Sequence, residues 1–218
     1  MRCLITGDKG FVGSETRKFL EVNNIQVIGC DIMDCLDIRD VALLDNIIQQ
    51  QKPDRILHLA AIARFSEADD NPRLAFETNV LGTINVTQIA RKYHIPLIYA
   101  STGSVYMPIT ETPPITENFK TKGNSVYGCT KYLGEIYVKE HTPYIILRYA
   151  HLYGKEKQGH GLVGGFLERI NRGLIPVLYG GKQSNDFCYI KDVVQANFLA
   201  LIASWDKWNQ AYNIGTVE

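Results

Sequence analysis

The feature that most constrains the fold is a glycine-rich turn near the start of the 218-residue chain. The apolar residues 3–5 are followed by Gly7, Gly10 and Gly13, in a G-x-x-G-x-x-G spacing rather than the commoner G-x-G-x-x-G. Gly7 permits a tight turn, Gly10 leaves room for phosphate groups, and Gly13 lets a helix pack closely on a strand. Such a turn places a pyrophosphate at a helix N-terminus, although glycines can also serve only to turn the chain. The turn therefore favours a strand–helix unit that binds a dinucleotide.

The end of the next predicted strand narrows the choice of dinucleotide. Residues 25–30 are apolar and β-prone, and they lead into Asp31, 18 residues after Gly13. An acidic side chain at this point accepts hydrogen bonds from the adenosine ribose and repels a 2′-phosphate. Residues 32–34 contain no lysine or arginine that would attract one. The pattern predicts NAD rather than NADP, with an ordinary turn role for Asp31 as the alternative.

The composition argues against several classes of protein. The chain has 23 basic residues (Lys and Arg) and 23 acidic residues, so no basic surface for nucleic acid is expected. Glycine and charge interrupt every apolar run before membrane-spanning length, and the start of the chain is typical of a strand rather than a signal peptide. The five cysteines form no C-x-x-C pair and are expected to be reduced thiols. We therefore expect a cytoplasmic protein that binds neither nucleic acid nor membranes.

Strand-like and helix-like segments alternate along the whole chain. The predicted strands are residues 2–6, 25–30, 55–60, 96–101 and 144–150. The predicted helices are residues 11–23, 40–51, 72–93, 125–141, 161–173 and 191–204. Alternation of this kind predicts an α/β fold, a doubly wound parallel sheet with helices on both faces.

Hydroxyl groups and a Tyr–Lys pair follow the fourth predicted strand, where ligands of parallel sheets bind. Residues 101–106 carry Thr102 among several hydroxyl groups, and Tyr127 and Lys131 lie four residues apart on a predicted helix, hence on one face. An ammonium group about 4 Å from a phenol could favour the phenolate by up to roughly 4 kcal/mol at an effective dielectric of 20. The pair therefore predicts a tyrosine base, with an exposed helix pair as the alternative.

A second Tyr–Lys spacing shows that the tetrapeptide alone is weak evidence. Tyr153 and Lys157 repeat it beyond the fifth predicted strand, in a charged segment that contains glycine. No hydroxyl-rich strand end accompanies this copy, and we interpret it as solvated surface. The first copy begins a predicted helix and follows the Ser/Thr cluster of residues 101–106.

Together the motifs resemble those of the extended short-chain dehydrogenases/reductases, specifically the NAD-dependent epimerase/dehydratase family that modifies nucleotide sugars. The matching segments are residues 6–14, 31, 37–40, 58–61, 78–83, 101–106, 127–131, 147–154, 186–193 and 212–215. The resemblance implies a Rossmann-type NAD-binding domain over residues 1–218, with residues 155–218 contributing part of a small substrate-binding region. The chain ends at Glu218, whereas family members usually continue, so the resemblance implies a reduced or missing C-terminal substrate region.

The resemblance also assigns roles to individual residues. Thr102 would polarise the C4 oxygen of the sugar, Tyr127 would be the base, and Lys131 would anchor the cofactor ribose. The implied cofactor-binding residues beyond the three glycines, Asp31, Tyr127 and Lys131 are Phe11, Val12, Asp37, Ile38, Leu59, Ala60, Ala61 and Asn79. Asp37 and Ile38 would flank the adenine, and Asn79 would position the nicotinamide half unless it is an ordinary polar helix residue. His58 is expected to pack or hydrogen-bond in the core rather than to react.

Departures from the family pattern concern the substrate. The acidic residues that follow the matching threonine in dehydratases are replaced by Gly103 and Ser104, which disfavours 4,6-dehydratase activity. His151 stands where many epimerases have Asn, and Asn185 where many have a diphosphate-binding Arg. Ser104, His151 and Asn185 are nevertheless the predicted substrate-binding residues.

Two functions remain open at this stage. The first is an NAD-dependent epimerase or ketoreductase that transfers hydride at C4 of a nucleotide sugar. The second is a dinucleotide-binding relative without turnover, acting as a sensor or partner subunit. The resemblance implies NAD as cofactor, no metal, and a homodimer built by the predicted helices 125–141 and 161–173. Tyr132, Ile136 and Lys139 are the candidate outer stripe of the first of these helices.

Overall fold

A computed structural model describes residues 1–107, 114–140, 143–154, 161–178, 180–181 and 185–216. Its main element is a parallel sheet of six strands in the order β2-β1-β3-β4-β5-β8. These strands are β1 (Arg2–Thr6), β2 (Gln26–Cys30), β3 (Arg55–His58), β4 (Leu97–Thr102), β5 (Tyr144–Tyr149) and β8 (Gln210–Ile214). A separate parallel pair consists of β6 (His151–Tyr153) and β7 (Phe187–Tyr189).

Helices cover both faces of the six-stranded sheet. They are α1 (Phe11–Val22), α2 (Val41–Gln51), α3 (Phe65–Asp70), α4 (Pro72–Phe76), α5 (Gly82–Lys92), α6 (Val126–Lys139), α7 (Gly161–Asn171) and α8 (Ile190–Leu201). Alternate residues of β1 point into two cores: Cys3 and Ile5 pack with α1 and α8, whereas Leu4 packs with α2, α5 and α6. Because both faces are buried, the strands are almost continuously apolar, and the predicted doubly wound sheet is confirmed.

The strand order places a crevice at the carboxyl ends of β1 and β3. The chain moves from β1 to β2 on one side and then returns to form β3 on the other side. A ligand site is expected where the direction of winding reverses in this way. The glycine turn after β1 and the segment after β3 both open into this crevice.

Most predicted elements are confirmed to within two residues at each end, with three differences. The predicted helix 72–93 is α4, a π-helical segment Glu77–Leu81 and α5 in direct succession, so its hydrogen-bond pattern changes midway. The last predicted helix, 191–204, ends at Leu201 as α8. The elements α3, β6, β7 and β8 had not been predicted. Among the described residues, no helix is both long and apolar enough to span a bilayer.

Candidate active site

The glycine turn holds the chain in a conformation that other residues could not adopt. Gly7 has φ +74°, its N–H donates to the Cys30 carbonyl (2.8 Å), and a Cβ on it would lie 2.7 Å from the Ala60 nitrogen. A Cβ on Gly13 would overlap the Gly7 carbonyl. Helix α1 begins directly after Gly10, which supplies no side-chain cap. Because the first turn of a helix leaves N–H groups without intrahelical partners, this end of α1 suits a pyrophosphate.

Phe11 and Val12 occupy the first turn of α1, where both side chains are half-buried. The Phe11 ring approaches Gly154, on which a Cβ would lie 3.2 Å from the ring tip. Val12 packs against the core shared by α1 and α8. The contact of Phe11 with Gly154 and the packing of Val12 on the core therefore hold the first turn of α1 in place.

Asp31 closes β2 with its carboxylate fixed by two backbone donors. The Lys9 N–H donates to Oδ2 (3.0 Å) and the Met33 N–H donates to Oδ1 (2.9 Å), and Asp31 is 7% exposed. Each carboxylate oxygen keeps capacity to accept a further hydrogen bond from a ribose hydroxyl. The Lys9 ammonium donates to the Asp34 carboxylate. Sequence reasoning missed this cation, because Lys9 lies 22 residues before Asp31 and reaches it only through the fold.

Asp37 and Ile38 lie beyond the turn that follows β2, at the crevice's edge. Arg39 donates to the Asp37 carboxylate, and these hydrogen bonds hold the pKa of Asp37 below its usual value. Ile38 is buried against α5, where a Cβ on Gly82 would lie 2.5 Å from its Cδ1. The Asn85 side chain donates to the Ile38 carbonyl (3.2 Å). The structure thus fixes the pair of residues implied to flank an adenine.

His58 is a core residue in a continuous hydrogen-bond chain. The Ala60 N–H donates to Thr6 Oγ1 (3.3 Å), which lies 2.6 Å from His58 Nδ1. His58 Nε2 lies 3.0 Å from Thr83 Oγ1, which donates to the Asn79 carbonyl (2.6 Å). The consistent assignment makes Thr6 a donor to Nδ1 and Nε2–H a donor to Thr83. Burial lowers the pKa of His58 to about 3, so its imidazole is neutral at physiological pH.

Asn79 fixes the segment that follows β3. Its side-chain amide bonds to both backbone groups of Ile62, accepting from N–H (2.8 Å) and donating to the carbonyl (2.9 Å). It also donates to Thr130 Oγ1 on α6 (3.0 Å). Asn79 lies in the π-helical segment, an irregularity that frequently marks functional sites. Its amide joins α6 to the half-buried segment that includes Leu59, Ala60 and Ala61.

Thr102 and Tyr127 meet at the carboxyl end of β4. Ser125 caps α6 by accepting from the Gly128 N–H (3.0 Å), so Tyr127 lies in the first turn of the helix. A Cβ on Gly128 would overlap the Ser104 carbonyl, and this close approach brings α6 against the strand end. The Thr102 hydroxyl lies close enough to the Tyr127 phenol to counteract part of the rise in its pKa. The structure therefore brings the predicted hydroxyl and the predicted base close together.

The electrostatics of this pair differ from the sequence-based expectation. Burial of its hydroxyl group raises the pKa of Tyr127 to about 12, and the neighbouring Thr102 hydroxyl opposes this rise. Burial lowers the pKa of Lys131 to about 7, opposed by Glu135, and its Nζ lies 4.1 Å from the centre of the Tyr99 ring. The predicted lowering of the phenol's pKa by Lys131 is thus absent in the polypeptide alone, because desolvation dominates at both groups.

A buried ionic network ties α6 to the sheet. Arg148 on β5 donates to both carboxylate oxygens of Glu135 (2.9 and 2.7 Å), and the two residues are 3% and 0% exposed. Ser101 donates to the same carboxylate (2.6 Å). Arg148 also donates to the Tyr106 hydroxyl (2.9 Å), which donates to Asn213 on β8 (2.5 Å). Sequence reasoning placed Arg148 in a strand but did not identify its partners, which are distant in the chain.

The same network holds the described part of the loop after β4. Arg148 donates to the Glu117 carbonyl (3.0 Å) and the Asn213 side chain donates to the Ile115 carbonyl (2.9 Å). The Phe65 ring of α3 meets the Tyr127 ring edge to face, with 5.5 Å between centroids. Sequence reasoning missed this contact, for which the aromatic residue Phe65 after β3 was the available signal.

The three predicted substrate-binding residues lie in separate elements beyond β4 and β5. Ser104 is half-buried in the turn Gly103–Val105, His151 is exposed at the start of β6, and Asn185 is exposed just before β7. The pairing of β6 with β7 brings His151 opposite Phe187.

Three basic residues that precede Asn185 in the chain, Arg169, Arg172 and Lys182, are engaged locally or lie outside the described residues. Arg169 donates to the Ile175 carbonyl (2.9 Å), and Arg172 pairs with Glu168 (2.5 Å). Lys182, and Lys157 of the second Tyr–Lys spacing, fall outside the described residues. The predicted outer stripe of α6 has Ile136 and Lys139 exposed and Tyr132 half-buried, and the dimer stays a prediction.

Comparisons with known proteins agree with this geometry. The sequence profile of the NAD dependent epimerase/dehydratase family matches residues 3–215. A provisionally assigned UDP-glucose 4-epimerase of Methanocaldococcus jannaschii is 34% identical over 98% of this chain and 76% of its own. A UDP-glucose 4-epimerase of Thermus thermophilus, solved with NAD, has a TM-score of 0.89 and 29% identity over 100% of this chain and 78% of its own.

A further solved structure is a UDP-glucose 4-epimerase of Thermotoga maritima with UDP-glucose, at a TM-score of 0.90 and 29% identity over 99% of this chain and 77% of its own. The predicted family, fold and cofactor class are thereby confirmed. The profile spans nearly the whole chain and includes both the glycine turn and the Tyr–Lys pair. The chain belongs to the NAD-dependent epimerase/dehydratase family.

Proposed function

We propose that this chain catalyses NAD-dependent hydride transfer at C4 of a nucleotide sugar, as an epimerase or as a ketoreductase. The observation that carries the proposal is the proximity of Thr102 to Tyr127 at the carboxyl end of β4, with buried Lys131 one helical turn further along α6. A hydroxyl donor, a phenol and an amine in one crevice are the groups that oxidation of a secondary alcohol requires.

The residues around the glycine turn fit NAD. The uncapped end of α1 suits the pyrophosphate, the carboxylate of Asp31 suits the adenosine ribose, and a Cβ at Gly7 would close the approach to Ala60. NAD, when bound, would supply the hydride acceptor and the positive charge of its nicotinamide ring.

Tyr127 is the proposed general base for the C4 hydroxyl proton. Its pKa of about 12 makes the phenol a poor base in the polypeptide alone, so phenolate formation needs positive charge close by. Lys131, with a pKa of about 7, is about half protonated at neutral pH and does not by itself lower the pKa of Tyr127. Thr102 lies beside Tyr127 and would orient the substrate oxygen toward the phenol.

The same site argues against elimination of water. A 4,6-dehydratase needs acidic groups beside the sugar, whereas the turn after Thr102 offers Gly103 and Ser104. Ser104 uses its carbonyl to accept from the Asn124 N–H (3.2 Å), and its hydroxyl is a poor acid at neutral pH. We therefore favour epimerisation or reduction over dehydration.

The second candidate is NAD binding without turnover, and the residues expected to bind the substrate diphosphate favour it. Asn185 is uncharged where a diphosphate would need a cation, and Arg172 is paired with Glu168. Such a protein would retain the NAD site and act as a sensor or partner subunit.

Incubating the purified chain with NAD and a panel of nucleotide sugars tests the two candidates, with products separated by chromatography. An enzyme converts at least one sugar to its C4 epimer, or reduces a 4-keto sugar when NADH is supplied. Thr102→Val should suppress that conversion, whereas Thr87→Val on α5, a buried threonine remote from the crevice, should not. No product from any sugar, with NAD binding intact, would reject the enzyme in favour of the binding protein.

A further inference from the structure

The crevice contains a cation at the place where NAD and NADP differ. The Lys9 backbone donates to Asp31 Oδ2 (3.0 Å), while its ammonium crosses from the glycine turn to the carboxylate of Asp34. Asp34 lies in a short turn, and its backbone N–H donates to the Asp31 carbonyl (2.9 Å). Lys9, Asp31 and Asp34 therefore surround one spot at the end of β2.

That spot corresponds to the adenosine ribose, since an acidic residue at the end of this strand binds the ribose hydroxyls. A 2′-phosphate there would meet the Lys9 ammonium, and lysine is a common phosphate partner. The two carboxylates outnumber the ammonium, however. The other charges nearby are already paired, Asp8 with Arg17 and Asp37 with Arg39.

We propose that Asp34 is a specificity-determining residue that occupies the Lys9 ammonium and so prevents it from binding the 2′-phosphate of NADP. Asp31 repels the phosphate directly, whereas Asp34 acts through Lys9 and removes a cation that the glycine turn would otherwise offer. This goes beyond the proposed reaction and does not depend on turnover, because it concerns only which dinucleotide binds.

The expected magnitude is moderate because both partners are partly exposed, at 39% for Lys9 and 45% for Asp34. Freeing one ammonium group to pair with a phosphate, in water-like surroundings, changes affinity by about fivefold to tenfold. The effect should shrink at high ionic strength, because exposed charges are screened.

A double-mutant cycle tests the proposal by calorimetric titration of NAD and NADP. The wild-type chain should bind NAD far more tightly than NADP. Asp34→Asn should raise the affinity for NADP relative to NAD by about fivefold to tenfold at low salt. The gain should disappear when Lys9→Met is also present, because the freed ammonium is its source. The control is Asp206→Asn, which removes the acidic partner of an exposed pair with Lys207 after α8 and should leave both affinities unchanged.

Three results would overturn the proposal. The first is an Asp34→Asn variant whose ratio of NADP to NAD affinity stays within twofold of the wild type. The second is a gain of equal size in the Lys9→Met background, which would mean that Asp34 repels the phosphate directly. The third is a wild-type chain that does not bind NAD at all.

Discussion

Replacing Lys131 with methionine should remove a specific pH dependence of stability. Lys131 is 2% exposed, and its burial lowers the pKa to about 7 from 10.5. In the unfolded chain the amine stays protonated over the whole interval between these values. The folded state therefore binds fewer protons than the unfolded state between pH 7 and pH 10.5, and stability rises with pH in that window.

The size of the effect follows from the two pKa values. At pH 7 the folded state holds about half a proton on Lys131, and at pH 8 about a tenth, against one proton in the unfolded state. Integrating the difference gives a gain of about 1 kcal/mol in the free energy of unfolding from pH 7 to pH 8. Well below pH 7 the amine of Lys131 is protonated in both the folded and the unfolded state, so a further fall in pH does not change its contribution to the free energy of unfolding.

Urea unfolding of the wild type and of Lys131→Met at pH 7 and pH 8 measures this gain directly. The wild type should gain about 1 kcal/mol more than the variant, because methionine fills the site without titrating. Lys191→Met is the control, since Lys191 is exposed on α8 and its removal should leave the pH dependence of the wild type unchanged. Equal gains in the wild type and Lys131→Met would refute the assignment of a depressed pKa to Lys131.

Three further predictions concern the network, the substrate and the assembly. Glu135→Gln should lower the free energy of unfolding by about 3–5 kcal/mol, because it leaves Arg148 buried without its counter-ion. Urea unfolding measures this loss, and a loss below about 1 kcal/mol would contradict the prediction. The dissociation constant of the 218-residue chain for nucleotide sugars should be weaker than micromolar, because Asn185 offers no charge-assisted hydrogen bond to a diphosphate. One such bond contributes about 1.5–3 kcal/mol. A micromolar dissociation constant in calorimetry would be inconsistent with that reasoning. Light scattering at micromolar concentration should report a homodimer through α6 and α7, and a monomer would exclude it.

The sequence predicted those features whose cause is local. The glycine turn follows from residues adjacent in the chain, and the strands β1 to β5 follow from apolar runs that two helical layers bury. Tyr127 and Lys131 were identifiable because their spacing matches one helical turn after a hydroxyl-rich strand end. Asp31 was identifiable because its position is counted from the glycine turn.

What the sequence could not supply depends on contacts between distant residues. Lys9 meets Asp34 and Arg148 meets Glu135 only after the sheet has formed, and nothing in the spacing of these residues announces either pair. Electrostatic expectations failed for the same reason. The Lys131 charge was expected to lower the pKa of Tyr127, but burial, which a sequence does not display, raises it to about 12.

The most direct test of the account compares Tyr127→Phe with the wild type in two assays. The substitution removes the hydroxyl that lies beside Thr102 but keeps the ring that packs on Phe65. With the nucleotide sugar that the panel identifies, turnover should fall at least 100-fold, in line with the usual contribution of a general base. The dissociation constant for NAD should stay within a few-fold of the wild type. Turnover within tenfold of the wild type would contradict the assignment of Tyr127 as the base.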